Sequence, residues 1–272
     1  MSRLPLPADW LVPDWPAPPG VRAVCTTRSC PAGDAPSAAP WGGFNLADHV
    51  GDAPQAVASH RAALAACTGA RPVFLKQMHG CHVAELDAYA PDGQPADAAV
   101  TASSGVACTV MVADCLPVLL ARADGAAVAA AHAGWRGLAG GVIEAAAQAV
   151  RRLGPHPPAS AASATSAVEV VAWLGPCIGP DAFEVGPEVR AAFTAARPEA
   201  AACFTPRPGG KWLAHLPALA RQRLAALGIP AWGNDGSPAW CTFSQPQLFH
   251  SYRARPVTGR MAACVWLARG KS

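Results

Sequence analysis

The chain has 272 residues, of which 51% are hydrophobic and 14% are charged, so it can bury one large core. Its net charge of +3 comes from interspersed signs. No run of Lys and Arg alternates with aromatic residues, which argues against nucleic-acid binding. The ten cysteines are spread along the chain, a pattern that favours buried thiols over a disulfide framework.

The N-terminal segment is broken by prolines and lacks the continuous apolar run of a signal peptide. The longest apolar stretch, 106–121, contains Asp114 and is too short to cross a bilayer. A cytoplasmic protein without membrane contact is therefore expected. A monomer is the expected oligomeric state, although no sequence feature determines it. Residues 1–20 are predicted to form an extended arm, followed by a single catalytic domain over 21–272.

Periodicity and turn residues predict nine elements. In chain order they are a helix over 55–67, strands over 73–75, 106–112, 117–121 and 126–131, a helix over 138–153, a strand over 168–174, a helix over 216–227 and a strand over 261–267. A glycine follows each helix and can end it. The low-complexity stretch 157–167 is predicted to be a mobile surface loop. Periodicity alone leaves a mixed α/β and an α+β protein open.

Three separate motifs carry residues that suit a metal ion. His79 lies in KQMHG, Cys115 in ADCLPVLL and His132 in HAGWRG. Two imidazoles and one thiolate form a three-ligand set, the number that catalytic zinc sites use while one position stays open. Because the residues are far apart in sequence, we expect them to come from separate elements. Asp114, beside the cysteine, is a candidate hydrogen-bonding partner of this ligand.

Each ligand candidate also has a structural interpretation, because a lone histidine is usually a hydrogen-bonded structural residue and a free cysteine packs as a small hydrophobe. HAGWRG is harder to explain by packing, since Arg136 in it offers a guanidinium for phosphate or carboxylate. His82 is left out of the ligand set because it is expected on the opposite face of a strand. The other cysteines are expected to be structural, with Cys177 as an exception that could reach the pocket.

Other chemistries fit the same residues. A His₂Cys set with Met78 as a weak axial ligand is how blue-copper sites are made, although the eight scattered histidines argue against a multicopper oxidase. A metal-free hydrolase would use Cys115 as nucleophile and His132 as base, on an amide or a cell-wall precursor. A non-enzymatic binding module is disfavoured by the dense HAGWRG and GPCIGP loops. Zinc is favoured over copper and over the metal-free hydrolase.

Ordered motifs over nearly the whole chain resemble the purine nucleoside phosphorylase family, also called the laccase-domain or multicopper polyphenol oxidase family, which includes the bacterial peptidoglycan editing factor. The motifs are FNLADHVGD at 44–52, KQMHG at 76–80, ADCLPVLL at 113–120, AHAGWRGLAGGV at 131–142, WLGPCIGP at 173–180, FEVG at 183–186, LARQRL at 219–224, CT at 241–242, SYR at 251–253 and TGRMA at 258–262. The resemblance implies an α+β fold, a four-layer αββα sandwich with mixed sheets. It also implies a zinc site made by His79, Cys115 and His132.

The resemblance further implies phosphorolysis of adenosine, inosine, guanosine and methylthioadenosine, with adenosine deamination beside it. Residues in matching motifs are expected to bind nucleoside or phosphate: Asn45, Arg61, Arg136, Tyr252 and Arg253. Asp114 and Glu184 are the candidate general acids for deamination, beside Cys115 and His132 in the metal set. The chain departs from the family pattern at His60, His215, His250 and in the segment 29–43, and these departures concern substrate preference rather than the metal site.

Overall fold

The structure is a computed structural model that describes residues 4–154 and 169–270, so the predicted loop at 157–167 lies outside the described residues. The main elements are β1 (Val21–Cys25), α1 (Pro54–Thr68), β2 (Arg71–Phe74), β3 (Val83–Glu85), β4 (Ala98–Thr101), β5 (Val106–Val112), β6 (Leu116–Arg122), β7 (Val128–Ala133), α2 (Trp135–Gly140), α3 (Val142–Arg152), β8 (Val170–Leu174), β9 (Glu184–Val185), α4 (Pro187–Thr194), β10 (Phe204–Pro206), β11 (Trp212–Ala214), α5 (Leu216–Ala226), β12 (Ala231–Gly233) and β13 (Met261–Leu267). Short 3₁₀ turns lie at Pro198–Cys203, Pro208–Gly210 and Pro238–Trp240.

The described strands form three sheets. A four-stranded sheet has the order β1-β13-β5-β2, and a six-stranded sheet has the order β12-β8-β6-β7-β4-β3. A small sheet, β10-β11-β9, lies beside them. Both large sheets are mixed, because β2 runs parallel to β5 and β12 runs parallel to β8, while β13–β5 and β6–β7 are antiparallel.

The two large sheets face each other, and helices cover their outer faces. Val110 of β5 packs with Leu119 of β6 between the sheets. On one outside Leu64 of α1 packs against the four-stranded sheet, and on the other Ile143 of α3 and Leu219 of α5 pack against the six-stranded sheet. Burial of one such side chain contributes about 1.5–3 kcal/mol. The expected α+β fold, a single compact domain in four αββα layers, is confirmed.

The single helix predicted over 138–153 is wrong, because the chain forms α2 and α3 with a break between them. Gly141 at the break has φ 103°, a left-handed conformation that interrupts a right-handed helix. Apolar periodicity continues across the break, so the sequence pattern does not reveal the change in direction. The break lets α2 begin beside the end of β7 while α3 packs along the six-stranded sheet.

Residues 4–20 lie against the rest of the chain. The Trp10 side chain is buried, and its indole nitrogen donates to the Ser29 carbonyl oxygen at 3.0 Å. Leu11 forms an antiparallel bridge with Cys25. The domain boundary after residue 20 stays a prediction. Within 4–154 and 169–270, no helix combines the length and the apolar character that spanning a bilayer requires.

Candidate metal centre

The three ligand candidates lie together at one end of the two large sheets: His79, Cys115 and His132. Their ligand atoms all lie within 4.8 Å of one another. The Cys115 sulfur is 3.9 Å from His79 Nε2, and the two imidazole rings meet edge to face with centroids 4.8 Å apart. In the part of the chain that the structure describes, this is the one group of three or more such side chains close enough to hold a metal ion.

The corner between β5 and β6 positions Cys115. The chain passes there from the four-stranded to the six-stranded sheet, and Asp114 adopts φ 93° to make the turn. The Asp114 carboxylate holds this conformation, because its oxygens accept hydrogen bonds from Thr242 Oγ1 and from the Arg253 backbone N–H, each at 2.6 Å. Asp114 therefore ties the C-terminal loop to the corner, and these bonds occupy both of its oxygens.

Asp97, which precedes β4, organises the two histidines. Its buried carboxylate accepts hydrogen bonds from the backbone N–H groups of Met78 at 3.0 Å, His79 at 2.8 Å and Gly80 at 2.7 Å. It also accepts one from His132 Nδ1 at 2.9 Å. A proton fixed on Nδ1 leaves Nε2 of that ring free for a metal ion. Sequence reasoning missed Asp97; its only signal is an acidic residue that opens an apolar strand.

The same carboxylate stabilises a strained turn. His79 has φ 59°, a left-handed conformation that costs a residue with a β-carbon roughly 1–2 kcal/mol. Three backbone hydrogen bonds to Asp97 hold residues 78–80 in this turn. The turn directs the exposed His79 side chain toward the sulfur of Cys115.

Electrostatics prepare Cys115 as a thiolate. Burial alone would raise its pKa, but His132 and His79 outweigh this and lower the pKa from 9.0 to about 6. Burial lowers the pKa of His132, whereas the charges of Cys115 and Asp97 outweigh it and raise this pKa to about 9. By contrast, burial raises the pKa of Cys30 to about 11. Cys115 is thus set apart as the thiolate available at neutral pH.

Gly134 leaves room for the site. A β-carbon at this position would lie 2.9 Å from the Cys115 sulfur, closer than real β-carbons approach, and 3.0 Å from His79 Cδ2, tighter than most such contacts. The first glycine of HAGWRG is therefore needed for its missing side chain, since its φ of −62° is open to any residue. The backbone here forms one wall of the site.

A cavity of about 440 Å³ opens at the three ligand candidates. Its lining includes three arginines, Arg136, Arg253 and Arg260. Its apolar and aromatic lining comprises Met111, Ala113, Trp135, Ile178, Phe183, Leu216 and Tyr252. Asp114 is the one carboxylate among the lining residues, beside the polar side chains of His49 and Gln77.

A second cavity, of about 550 Å³, adjoins the first and shares His49 and Gln77 with it. Arg61 lines this second cavity, where its guanidinium lies 3.2 Å from the Asp48 carboxylate and 4.1 Å above the Phe74 ring. Arg61 therefore lies next to the metal cavity rather than in it.

The structure brings some of the residues expected at the site together and not others. Arg136, Tyr252, Arg253 and Asp114 line the metal cavity. Glu184 does not: its carboxylate lies 3.3 Å from Lys211 Nζ on the surface. Glu184 was expected in the cavity as a general acid, and the structure places its carboxylate elsewhere. The short strand β9 turns the side chain toward β11.

Asn45, Cys177 and Met78 do not line the metal cavity. Asn45 is fully buried and bonds to other parts of the chain instead of lining the cavity. Cys177 is buried with its sulfur 3.5 Å from Asn234 Nδ2, and its neighbour Ile178 lines the cavity in its place. Met78, considered as an axial copper ligand, is 61% exposed and lines the second cavity.

His82 lies before β3 and not within a strand. Its Nδ1 is 3.1 Å from the Pro95 carbonyl oxygen, outside the ligand group. The metal cavity has lining residues that sequence reasoning missed, namely His49, Gln77, Phe183, Leu216 and Arg260. Four of these lie in motifs quoted above and so had a sequence signal: His49 in FNLADHVGD, Gln77 in KQMHG, Phe183 in FEVG and Arg260 in TGRMA.

Comparison with known proteins gives relatives over nearly the full length. A purine nucleoside phosphorylase of Pseudomonas aeruginosa is 47% identical over 259 residues, which cover 95% of this chain and 98% of that protein. Purine nucleoside phosphorylase YfiH of Escherichia coli is 42% identical over 94% of this chain and 98% of its own length. The crystal structure of a Neisseria meningitidis protein is 43% identical, covers 96% of this chain and all of that chain, and has a TM-score of 0.84.

A family model described as "Multi-copper polyphenol oxidoreductase laccase" matches residues 22–268. Apart from Val21, the first residue of β1, this range contains every strand and helix named above as well as the three ligand candidates. The expected resemblance is confirmed, and the chain belongs to this laccase-like family, whose curated relatives include purine nucleoside phosphorylases.

Proposed function

We propose that this protein is a zinc-dependent purine nucleoside phosphorylase. The observation that carries the proposal is that one cavity joins the His79–Cys115–His132 set, three arginines and an apolar wall. The names of the relatives from Pseudomonas aeruginosa and Escherichia coli support the same reaction. The substrate classes are adenosine, inosine, guanosine and methylthioadenosine, together with phosphate.

The cavity is suited to a purine. Its volume of about 440 Å³ lies in the range of small-molecule sites. The flat purine ring packs against apolar and aromatic side chains, for which Trp135, Phe183, Ile178 and Leu216 are available. The ribose is then expected beside the polar lining groups, which include His49, Gln77 and the three arginines.

Phosphorolysis requires an anion beside the sugar, because phosphate oxygen attacks C1′ and the bond from C1′ to the purine nitrogen breaks. Arginine guanidinium groups bind phosphate through paired hydrogen bonds. Arg136 and Arg253 are exposed at the cavity and supply two such groups. Asp114 repels an approaching anion less than a free carboxylate would, since two hydrogen bonds are donated to it.

The donor set fits Zn²⁺. A thiolate, two imidazoles and a carboxylate that hydrogen-bonds one imidazole are the groups that hold this ion in catalytic sites, and the side-chain-free backbone at Gly134 gives them space. Bound there, Zn²⁺ would supply a Lewis acid with a position open to substrate. Copper is the alternative ion, and the exposed position of Met78 disfavours a blue-copper ligand set.

The test is to incubate the purified protein with adenosine, with and without phosphate, and to identify the products. Adenine and ribose 1-phosphate that form only with phosphate support the proposal. Arg136→Gln is expected to raise the KM for phosphate, whereas Arg207→Gln, which changes an exposed arginine outside both cavities, leaves it unchanged. Absence of phosphate-dependent cleavage contradicts the proposal.

Adenosine deamination is the second activity proposed for the same cavity, because zinc deaminases also use His and Cys ligands. Within the cavity lining, Asp114 is the carboxylate available to protonate the leaving ammonia, and its two engaged oxygens make it a weak candidate. Inosine formed from adenosine without phosphate measures this activity. Phosphorolysis without any inosine contradicts the deaminase assignment.

A metal-free hydrolase is a candidate function from another class, and one observation favours it. Asp97 is hydrogen-bonded to His132, which adjoins Cys115, the order in which cysteine hydrolases arrange acid, base and nucleophile. Its substrate would be an amide or a peptidoglycan precursor. Activity that a thiol alkylator abolishes and a chelator leaves intact supports this function; loss on chelation with recovery on adding zinc supports the phosphorylase. A cytoplasmic location and a monomeric state stay predictions.

A further inference from the structure

Arg260 is the least exposed of the three arginines that line the metal cavity. It lies directly before β13 and is half-buried, whereas Arg136 and Arg253 are exposed. Arg136 stacks its guanidinium 4.4 Å above the Trp135 ring, and Arg253 donates to the Glu184 carbonyl oxygen at 3.0 Å. Because Arg260 is withdrawn from water, an anion in the cavity gains more from pairing with it than with either exposed arginine.

The guanidinium of Arg260 has unused hydrogen-bonding capacity. Nη1 donates to the carbonyl oxygens of Thr258 and Gly259, both at 3.0 Å. In the described part of the chain, no other guanidinium nitrogen of Arg260 has a hydrogen-bond partner, and no carboxylate forms an ion pair with it. A half-buried cation with free N–H groups at a cavity wall matches the paired oxygens of phosphate.

Arg260 shares its cavity with the metal ligands His79, Cys115 and His132. Burial lowers its pKa, while Cys115, Asp114 and Tyr252 act in the opposite direction. A guanidinium remains protonated at any working pH. The group is therefore a permanent positive charge beside the site.

Asn45 fixes the backbone of Arg260. Its side-chain oxygen accepts hydrogen bonds from the Arg260 N–H at 2.9 Å and the Ala47 N–H at 3.0 Å. Its amide nitrogen donates to Asp52 Oδ2 at 2.8 Å, and the adjacent Leu46 N–H donates to the Arg260 carbonyl oxygen at 3.2 Å. Asn45 thus contacts the cavity only through the arginine.

We propose that Arg260 holds the phosphate co-substrate in the metal cavity and that Asn45 is a positioning residue that acts through Arg260. This rests on the proposed phosphorolysis and names the group that binds its anion. The FNLADHVGD motif thereby has a role, since its buried Asn45 holds the backbone of a cavity residue.

Steady-state kinetics of the zinc-loaded protein test the assignment. Arg260→Gln is expected to raise the KM for phosphate roughly 10- to 100-fold, the loss typical of a charge-assisted hydrogen-bond pair, with a much smaller change in the KM for the nucleoside. Arg207→Gln is the matched control and is expected to leave both values unchanged. An unchanged KM for phosphate in Arg260→Gln overturns the proposal.

A second readout does not depend on nucleoside cleavage. In the metal-free full chain, the Cys115 sulfur displaces iodide from either anionic iodoacetate or neutral iodoacetamide and forms a carbon–sulfur bond. The alkylation ratio is the rate with iodoacetate divided by the rate with iodoacetamide. An anion site at Arg260 is expected to raise this ratio, and inorganic phosphate is expected to suppress the iodoacetate reaction. Arg260→Gln removes both effects and Arg207→Gln removes neither. Equal ratios in wild type and Arg260→Gln overturn the proposal even if phosphorolysis is established.

The role of Asn45 is tested by a double-mutant cycle. Asn45→Ser is expected to raise the KM for phosphate, and the change is expected to add nothing in the Arg260→Gln background. Independent, additive effects contradict a positioning role. If Asn45→Ser fails to fold, Asn45→Gln keeps both an amide oxygen and an amide nitrogen but displaces the acceptor for the Arg260 N–H. It is expected to lower the alkylation ratio in the wild-type background and to leave it unchanged in the Arg260→Gln background; an equal decrease in both backgrounds contradicts the role.

Discussion

At the scale of single residues, the Asp97 carboxylate joins two chain segments that each carry a ligand. One oxygen accepts from both the His79 N–H and His132 Nδ1, and the other accepts from the Met78 and Gly80 N–H groups. Two ligands are thereby held in fixed relation before any metal ion binds. Such preorganisation lowers the cost of ordering the site on binding.

Asp97→Asn is expected to weaken zinc binding by roughly 10- to 100-fold, the usual effect of changing the hydrogen-bond partner of a metal-ligating histidine. The amide would present N–H groups to backbone donors and release the His132 tautomer. Competition with a chromophoric chelator measures the affinity. Asp87→Asn, at an exposed turn, is the control. Wild-type affinity in Asp97→Asn would contradict the role assigned to this carboxylate.

Gly134→Ala is expected to reduce zinc affinity by about an order of magnitude, because its methyl group would crowd the Cys115 sulfur and the His79 ring. The backbone at this position accepts alanine without strain. In the metal-free protein the exposed His79 ring can rotate away from the methyl group, so thermal unfolding there should change less than the zinc affinity does. Gly20→Ala, which meets no atom within 4 Å, is the matched control. Equal zinc affinities for the two variants would show that the space at Gly134 is unimportant.

Zinc affinity is expected to rise with pH between 6 and 9. The pKa of Cys115, lowered to about 6, means that its sulfur is already a thiolate in this range. The pKa of His132, raised to about 9, means that its ring must lose a proton when the metal binds. About one proton should therefore leave per ion in this window, and more below pH 6 as the thiol protonates. Chelator competition at several pH values measures this, and a flat profile from 6 to 9 contradicts it.

The three ligand candidates could be predicted from their residue types, whereas the residues that position them or share their cavity could not. His79, Cys115 and His132 bear donor groups that the sequence displays directly. Asp97 is a single acidic residue in an alanine-rich segment, and its function depends on which strand β4 adjoins. The TGRMA motif displays Arg260, but its place in the cavity depends on the pairing of β13 with β5.

At the scale of elements, two departures from the family pattern, His60 in helix α1 and the segment 29–43, contact each other. His60 of α1 is fully buried under this segment. Its Nε2 lies 2.9 Å from the Ala35 carbonyl oxygen and its Nδ1 lies 2.8 Å from the Asn45 carbonyl oxygen. The histidine thus fastens the unusual segment to the helix, a structural role rather than one in the metal cavity.

His60→Ala is expected to lower the unfolding free energy by about 2–4 kcal/mol, because it removes two buried contacts to carbonyl oxygens and leaves a cavity. For a chain of this size the corresponding fall in Tm is about 5–10 °C. Zinc affinity should stay unchanged, since neither contact involves the ligand group. Calorimetry measures the change in stability. Gln55→Ala, at an exposed position of the same helix, is the control and is expected to have wild-type stability. Wild-type stability of His60→Ala as well would exclude a structural role for His60.

Element boundaries show where sequence patterns lose information. Two seven-residue strands near the site were predicted closely, since 106–112 matches β5 and 117–121 falls inside β6. Periodicity could not show that these neighbours lie in different sheets, because Asp114 turns the chain at their junction with φ 93°. The short strands β9, β10, β11 and β12, of two or three residues each, lack a detectable alternation.

At the scale of the whole molecule, the two facing sheets bring the ligand-bearing segments to one end. His79 follows β2 of the four-stranded sheet, His132 belongs to β7 of the six-stranded sheet, and Cys115 lies where the chain crosses between them. The four-layer arrangement was expected from the resemblance, whereas periodicity left two fold classes open. A site assembled from both sheets depends on their packing, so its metal ion should bind the folded chain and not the unfolded one.

The family description names a copper oxidase and the curated relatives are named phosphorylases, and the metal ion separates these chemistries. Mass spectrometric metal analysis of the purified wild type, Cys115→Ser and Cys30→Ser is the most direct measurement. We expect about one zinc ion per chain in wild type and Cys30→Ser, and far less in Cys115→Ser. Copper at that ratio, or a metal content that Cys115→Ser leaves unchanged, would contradict a zinc site at His79, Cys115 and His132.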